Sequence, residues 1–556
     1  MTLTSKSTDG KSHSIQYYTD ISAEWVSGDN SLTATWSTNN LNGAIAHQVQ
    51  LQNQGQYKEV NDHTQYGSAY YGTNTASGLT YATGQDTVVR AQFVSNGNLG
   101  NSQDNAFRAI SDRWPVFAFA RDIGSTADSS GNPVVFAIGH VRDPLVTYIV
   151  AGNTMQERHP YWLSKYANAN DLLSAFLSSA EYQHAVSASN SMDTKINNDS
   201  NAISSDYASI TALSLRQAFG GTEVTISKTS SGAYDTNDIF VYLKEISSDG
   251  NMNTVDVVFP AWPVYLYLNP DFGKRLLAPI FTYQRSGLYP NKWSVHDLGS
   301  GYPVANGHNN GGDEAMPVEE SGNMIIMALS YYRATKDSSQ LSTNYALLKQ
   351  WTQYLIDDSL IPADQLSTDD FAGHLANQTN LAIKGIVGIR AMSEIATVLG
   401  QTADATTYSN TASSYVTQWQ KYAISSEGHL QLQYNNPSSW GIAYNLWADK
   451  LFGYNLFPAS VYTMQTSWYG KKFGTYGVPL DTRHTYTKSD WQIFTAGTVS
   501  DTNTRNRFVS GVKGYVANGL NNRPFSDWYD TSSGASVGFI NRPVVGGHFA
   551  LLVLPK

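Results

Sequence analysis

The sequence predicts two domains: an antiparallel β-sandwich over residues 1–155 and an (α/α)6 toroid over residues 156–556. Three observations lead there. In the first 150 residues, short β-branched or aromatic runs alternate with Gly, Asn, Asp and Ser clusters, with no helical period between them. From about residue 160, amphipathic segments alternate with segments that are apolar nearly all round. The links between these segments are alternately short and long.

Strand-like runs lie at 14–18, 33–36, 46–52, 87–94, 115–120, 134–141 and 145–150. The chain opens almost inside a strand, since residues 1–6 lead at once into a Thr8-Asp9-Gly10 turn and a strand at 13–18. Helical pairs are expected at 171–199 with 205–219, 270–286 with 322–335, and 343–356 with 381–399. Three more follow at 403–423 with 440–452, 457–473 with 490–499, and 504–519 with 545–554. In the outer type, Leu347, Leu348, Trp351, Tyr354 and Leu355 share one face, whereas the inner-type segment 324–332 is almost continuously apolar. Gly385 and Gly388 would let the inner helix 381–399 approach its neighbours closely. A β-hairpin, 239–246 with 255–259 turning at Ser248-Asp249-Gly250, is expected to interrupt the toroid after its first pair.

Only 14% of residues are charged and the net charge is −10, which argues against a broad nucleic-acid-binding face. No run approaches 18 apolar residues, so no membrane span is implied. Cysteine is absent, which excludes a disulfide scaffold, a thiolate nucleophile, a Cys-based zinc site and an iron–sulfur cluster. Polarity comes instead from Ser, Thr, Asn, Gln and 35 tyrosines. With sequons at Asn198 and Asn377, this suggests a secreted or cell-wall glycoprotein, although the first residues lack a signal peptide's apolar run.

Because the helices alternate in direction, every long link emerges at one end of the toroid, and those links carry the chemistry. The loop 291–323 offers Trp293, His296, Asp297, Tyr302, His308, Asp313, Glu314, Glu319 and Glu320. The loop 366–380 adds Asp369, Asp370, His374 and Asn380. Later loops supply Tyr434, Trp440, Arg483, His484, Asp490, Asp527 and Asp530. Carboxylates at helix N-termini are favoured as anions. Adjacent pairs such as Glu319/Glu320 and Asp369/Asp370 allow one acid to stay protonated beside an ionised neighbour. Lys384, four residues after Asn380 in an apolar helix, shares that residue's face and needs an acidic partner if buried.

Four stretches, VDVVFPAWPVYLYLNP (255–270), HDLGSGYPVANGHNNGGDEAMPVEESGN (296–323), LSTDDFAGHLANQTNLAIKGI (366–386) and PFSDWYD (524–530), closely resemble the fungal glutaminase A family. The resemblance covers essentially the whole chain. It implies a secreted enzyme that hydrolyses L-glutamine to L-glutamate and ammonia, on a β-sandwich joined to a six-hairpin helical domain. Family members are longer at the N-terminus. The expectation is therefore an N-terminal segment that is missing here, or that stays bound as a separate chain cleaved from the same precursor.

Amide hydrolysis calls for activated water, a stabilised oxyanion and a proton for ammonia; glutamine itself calls for a cation at its α-carboxylate and an acid at its α-ammonium. The catalytic candidates are Asp297, Glu314, Glu320 and Asp370, and the substrate-binding candidates are Trp293, Tyr302, Asn380, Lys384, Arg483, Trp440 and Asp527. Arg542 competes with Arg483 for the carboxylate, and a Ser or Thr nucleophile stays open. No cofactor is required by this scheme. A structural calcium among the loop acids would lack any EF-hand spacing. Two other classes fit the same residues: a glycoside hydrolase with a carboxylate pair on this face, and a carbohydrate-binding surface protein.

Overall fold

The computed structural model describes residues 1–555, which form two compact units. The first comprises Met1–Thr147, Glu157–Ser191 and Thr225–Asp238; the second comprises Tyr148–Gln156, Met192–Val224 and the chain from Ile239 onward. No helix among the described residues is long and apolar enough to cross a membrane.

The first unit is a β-sandwich. One sheet runs in the order Thr2–Leu3, Val134–Val141, Ser68–Asn74, Ala44–Leu51, Thr33–Leu41, Arg108–Ala109, and the other in the order His13–Ser22, Pro115–Thr126, Leu79–Gln85. Every pairing in both is antiparallel. Alternate residues of each sheet turn inward: Trp36, Val49, Leu51, Tyr71 and Phe136 from one meet Ile21, Phe117 and Phe119 from the other. The expected strand at 87–94 is instead part of the helix Asp86–Asn96. Its β-branched residues read as strand, but Val89 and Phe93, one turn apart, both pack on Ala82, Leu99, Val116 and Ala118. Gly97 ends that helix in the left-handed conformation, its N–H donating to the Phe93 carbonyl.

His47 sits inside the sandwich, its Nε2 donating to the Ala118 carbonyl at 3.1 Å and its Nδ1 accepting from Thr38 Oγ1 at 2.9 Å. Burial lowers its pKa from 6.5 to about 4, against the opposing pull of the Ala118 carbonyl. The unfolded chain therefore binds the proton first. The resulting stability is fully present above pH 6.5 and is lost as pH falls towards 4. A shift of this size corresponds to about 3 kcal/mol. Urea midpoints measured at pH 7 and pH 4 should differ less in His47→Gln than in the wild type; an unchanged difference would show that His47 does not set this acid sensitivity.

The second unit is the toroid. Its helices are α1 (Ser205–Gly220), α2 (Val255–Leu268), α3 (Pro270–Arg285), α4 (Pro317–Thr335), α5 (Ser339–Asp358), α6 (Thr379–Val398), α7 (Thr402–Ala423), α8 (Leu446–Phe452), α9 (Ala459–Gly470), α10 (Ser489–Ala496) and α11 (Thr502–Val516). A 3-10 segment, Pro543–Phe549, takes the last inner place. The inner members α2, α4, α6, α8, α10 and Pro543–Phe549 contact one another in sequence, and the last packs back on α2 to close the ring. The odd-numbered helices lie outside them.

Three expectations about this unit need correction. Residues 255–259 are not a hairpin strand but the start of α2, the first inner helix. Its β-branched run and its Pro260 and Pro263 oppose a helix, yet every residue from Val255 to Tyr265 is buried. A helix satisfies most of the buried backbone groups of that segment internally, which an unpaired strand there would not. The first pair is accordingly α1 with α2, while 171–199 falls into two other helices, Ala169–Leu177 and Ser179–Asn201, broken at Ser178. The last inner element is a 3-10 segment over 543–549 rather than a helix over 545–554, in a stretch containing Gly546 and Gly547. Glycine does permit close approach: a Cβ at Gly385 would overlap Ser359 Oγ, and one at Gly388 would lie 2.9 Å from Leu355 Cδ1.

Candidate functional site

Connections from outer to inner helices are long, at 221–254, 286–316, 359–378, 424–445, 471–488 and 517–542, whereas α2 to α3 takes one residue and α6 to α7 three. The inner helices therefore start at the end where the long connections gather, and acids occupy their first turns: Asp256 in α2, Glu319 and Glu320 in α4, Asp490 in α10. Asp369 and Asp370 come from a 3-10 turn in the connection before α6. A three-stranded sheet built from the last two connections, Tyr486–Lys488, Ser526–Asp530 and Ser536–Ile540, carries Lys488 and Asp527.

Asp256, His296 and Glu320 form one group. His296 Nδ1 donates to Asp297 Oδ2 at 2.7 Å, and its Nε2 lies 3.4 Å from Asp256 Oδ1. Asp297 Oδ1 also accepts from His308 Nε2 at 2.7 Å and from the Gly299 N–H at 2.5 Å. Burial pushes Asp297 up, but its two histidine partners outweigh it and hold the carboxyl well below the usual range. His296 loses from burial and gains more from Asp256 and Asp297, so it is raised. Glu320 is raised well above the usual carboxyl range, by burial first and then by Asp256. Donor atoms of Asp256, His296 and Glu320 lie within 4.8 Å of one another, a spacing able to hold a metal ion.

Lys384 reaches the next acid. Its Nζ donates to Asn323 Oδ1 at 2.7 Å, lies 3.3 Å from Glu319 Oε1 without hydrogen-bond geometry, and sits 3.3 Å over the Phe259 ring. Burial lowers its pKa to about 8 against the pull of Glu319. Asp369 accepts from Tyr444 Oη at 2.7 Å and burial raises it to about 7. Burial and Asp256 raise Asp370 to about 6.

The third group is Lys488 with Asp490 and Asp527, its Nζ 3.4 and 3.6 Å from their carboxylates and all three side chains buried. Burial penalises the ammonium, yet the two acids outweigh it and raise Lys488. Among the described residues, neither oxygen of Asp490 or of Asp527 accepts a hydrogen bond of good geometry, so the Lys488 ammonium meets them as an ion pair alone. Arg542, also buried, donates to Glu245 Oε1 at 2.9 Å, and its Nε has no acceptor among the described residues. The lumen thus sets buried cations beside buried acids whose hydrogen-bonding capacity is incompletely used.

Residues 204–552 match the glutaminase A six helical-hairpin domain, and residues 1–199 match a domain of unknown function. Glutaminase A of Aspergillus oryzae is 44% identical over 99% of this chain and 79% of its own length. The chain belongs to the glutaminase A family. That membership makes it a hydrolytic enzyme. A probable glutaminase of Arthroderma benhamiae is 33% identical over 98% of this chain and 73% of its own. Among solved structures, a bacterial glucoamylase complexed with acarbose superposes with a TM-score of 0.45 at 8% identity, over 99% of this chain and 87% of its own; so loose a likeness carries no argument.

For this glutaminase A family member, the structure brings Glu320, Asp370, Lys384 and Asp527 into the lumen and distributes the other candidates around it. Asp297 has both oxygens occupied and orients His296. Glu314 is solvent-exposed, and partial desolvation raises its carboxyl while His296 and Asp256 pull it in opposite directions. Arg483 makes two bonds to Asp481, at 3.0 and 2.7 Å, and one to the Ala372 carbonyl. With Asp369 and Asn380 it lines a small, partly open cleft of about 20 Å³, room for one water-sized group. Asn380 accepts from the Asn445 N–H, joining the starts of α6 and α8. Trp293 packs on Tyr354 of the outer helix α5, Trp440 lies edge-on to Trp468, and Tyr302 donates to Glu223. Asp256, Lys488, Tyr444 and Glu245 join the site although no sequence pattern marks them as a group. For Asp256 there was a usable signal: it is the sole charge in the run 255–268.

Proposed function

We propose that this enzyme hydrolyses the side-chain amide of L-glutamine to L-glutamate and ammonia in the lumen mouth. The observation that carries the reading is the pairing of buried, donor-poor acids with buried cations in a chain whose relatives are named glutaminases. The α-carboxylate is taken by Lys488 and Arg542, and the α-ammonium by Asp490 and Asp527. Asp370, with a pKa of about 6, is ionised at neutral pH and takes a proton from the attacking water. It then passes that proton to the departing nitrogen, so the base is restored as ammonia leaves.

A glycoside hydrolase would use the same acid pairs. The deciding experiment is ammonia release from L-glutamine set beside reducing-sugar release from a panel of glycans. Ammonia without sugar supports the amidohydrolase; sugar without ammonia overturns it.

A further inference from the structure

We propose that Asp256, His296 and Glu320 bind a divalent transition-metal cation, with zinc the best fit, inside the toroid. This goes beyond the glutamine reading and does not depend on it.

Four features of the trio point to a cation. All three side chains are buried, at 6%, 3% and 0% exposure. Among the described residues, Glu320 Oε1 accepts no hydrogen bond, and Asp256 Oδ1 has only the long 3.4 Å approach of His296 Nε2, a costly state for buried carboxylate oxygens that a cation would relieve. His296 is fixed through its far nitrogen: Nδ1 donates to Asp297, which His308 and the Gly299 N–H hold in turn, so Nε2 is presented to Asp256. That is the carboxylate–imidazole arrangement by which proteins orient a metal-binding histidine.

The fourth feature is a distance. His296 meets Asp297 at 2.7 Å, within the usual range of about 2.7–2.9 Å for a charged N–H···O bond, whereas its approach to Asp256 is as long as the buried Lys384–Glu319 and Lys488–Asp490 ion pairs, so the length alone does not require an ion but is compatible with one. The Asp256–His296 pair, equally buried, stays at 3.4 Å. Two donors each about 2.1 Å from a tetrahedral zinc are about 3.4 Å apart. The pair is spaced like two ligands of a shared ion. One imidazole with two carboxylates matches zinc and its first-row neighbours, whereas calcium and magnesium prefer oxygen alone. Three protein ligands also leave a position open to water or substrate.

The test reads metal, not turnover. The full-length protein is stripped with dipicolinate, equilibrated against buffered Zn²⁺ and assayed for metal per chain; Co²⁺ is then substituted and its visible ligand-field spectrum recorded. The expected result is one ion per chain with a tetrahedral or five-coordinate Co²⁺ spectrum. Asp256→Asn and His296→Gln should each abolish stoichiometric binding with an unchanged far-UV circular dichroism spectrum. Asp297→Asn should weaken affinity roughly 10- to 100-fold, while Asp490→Asn leaves it intact. Failure of the wild-type protein to hold metal at saturating free Zn²⁺, or equal binding by the folded Asp256→Asn and His296→Gln variants, overturns the proposal. Neither outcome alters what the ammonia assay says about glutamine.

Discussion

Asp370→Asn should lower kcat for L-glutamine by about 10²- to 10⁴-fold, the usual range for loss of a general base, while making the protein harder to unfold at neutral pH. Both halves follow from one fact: burial and the charge on Asp256 raise this carboxyl from 3.8 to about 6. In the wild type, kcat should fall about tenfold per pH unit below pH 6 as the base becomes protonated. In the variant, that limb should be gone from whatever activity remains. For stability, the folded state holds the proton more tightly than the unfolded chain. Stability from this group is therefore greatest below pH 3.8 and declines as pH rises through 6. At pH 7 the ionised carboxylate is a liability of up to about 3 kcal/mol, and Asn removes it. Stopped assays of ammonia release across pH 4–9, paired with urea titrations at pH 7, test both. A variant that loses activity and stability together would mean Asp370 holds the loop rather than acts as base.

Lys488→Met should be the most destabilising single change in the site. It leaves Asp490 and Asp527 buried side by side, with no donor reaching their oxygens among the described residues. Removing one member of a buried charged group typically costs about 3–5 kcal/mol, because the remaining charge stays desolvated and uncompensated. Burial already raises Asp490, with Lys488 opposing that rise, so in the variant its carboxyl should take up a proton near neutrality. Two companion changes separate charge from packing. Lys488→Arg should keep much of the stability. Adding Asp490→Asn to Lys488→Met should recover part of it, with a coupling of about 0.5–3 kcal/mol in the double-mutant cycle. Additive losses would show that the aliphatic stem of Lys488, and not its charge, matters there.

How much of the fold and site is legible in the sequence depends on which physical signal dominates each segment. Unequal connections locate the end where the candidate acids gather, because loop length survives any error of a few residues in helix bounds. Lys384 is legible as a buried lysine in search of an acid, and Glu319 is that acid at 3.3 Å. Asp256 is hidden because local and global preferences disagree over 255–268: β-branched residues and two prolines argue against a helix, and burial on all sides overrides them. The helix at Asp86–Asn96 is hidden for the same reason, its Val and Phe belonging to a period of four rather than two. Lys488 stands in a strand of three residues, too short to show a pattern. Arg483 and Arg542 look equivalent as candidates in sequence; only tertiary structure shows that Arg483 is spent on its near neighbour Asp481 while several lumen acids surround Arg542.

The ring of inner helices has a kinetic consequence. Its closing contact joins Pro543–Phe549 to α2, where Gly546 lies so close to Ala261 that a Cβ would come within 2.6 Å of its carbonyl oxygen, 285 positions earlier in the chain. Contacts of such sequence separation are slow to form, since loop entropy is lost before the contact repays it. Arg542 immediately precedes the closing segment and Asp256 belongs to its partner, so the two ends of the charge cluster meet only at that step. An incompletely closed chain would leave Glu245 without its Arg542 partner and the start of α2, with Asp256, open to water. Recovery of activity during refolding should therefore lag behind recovery of helical signal, with ring closure as the event that separates them.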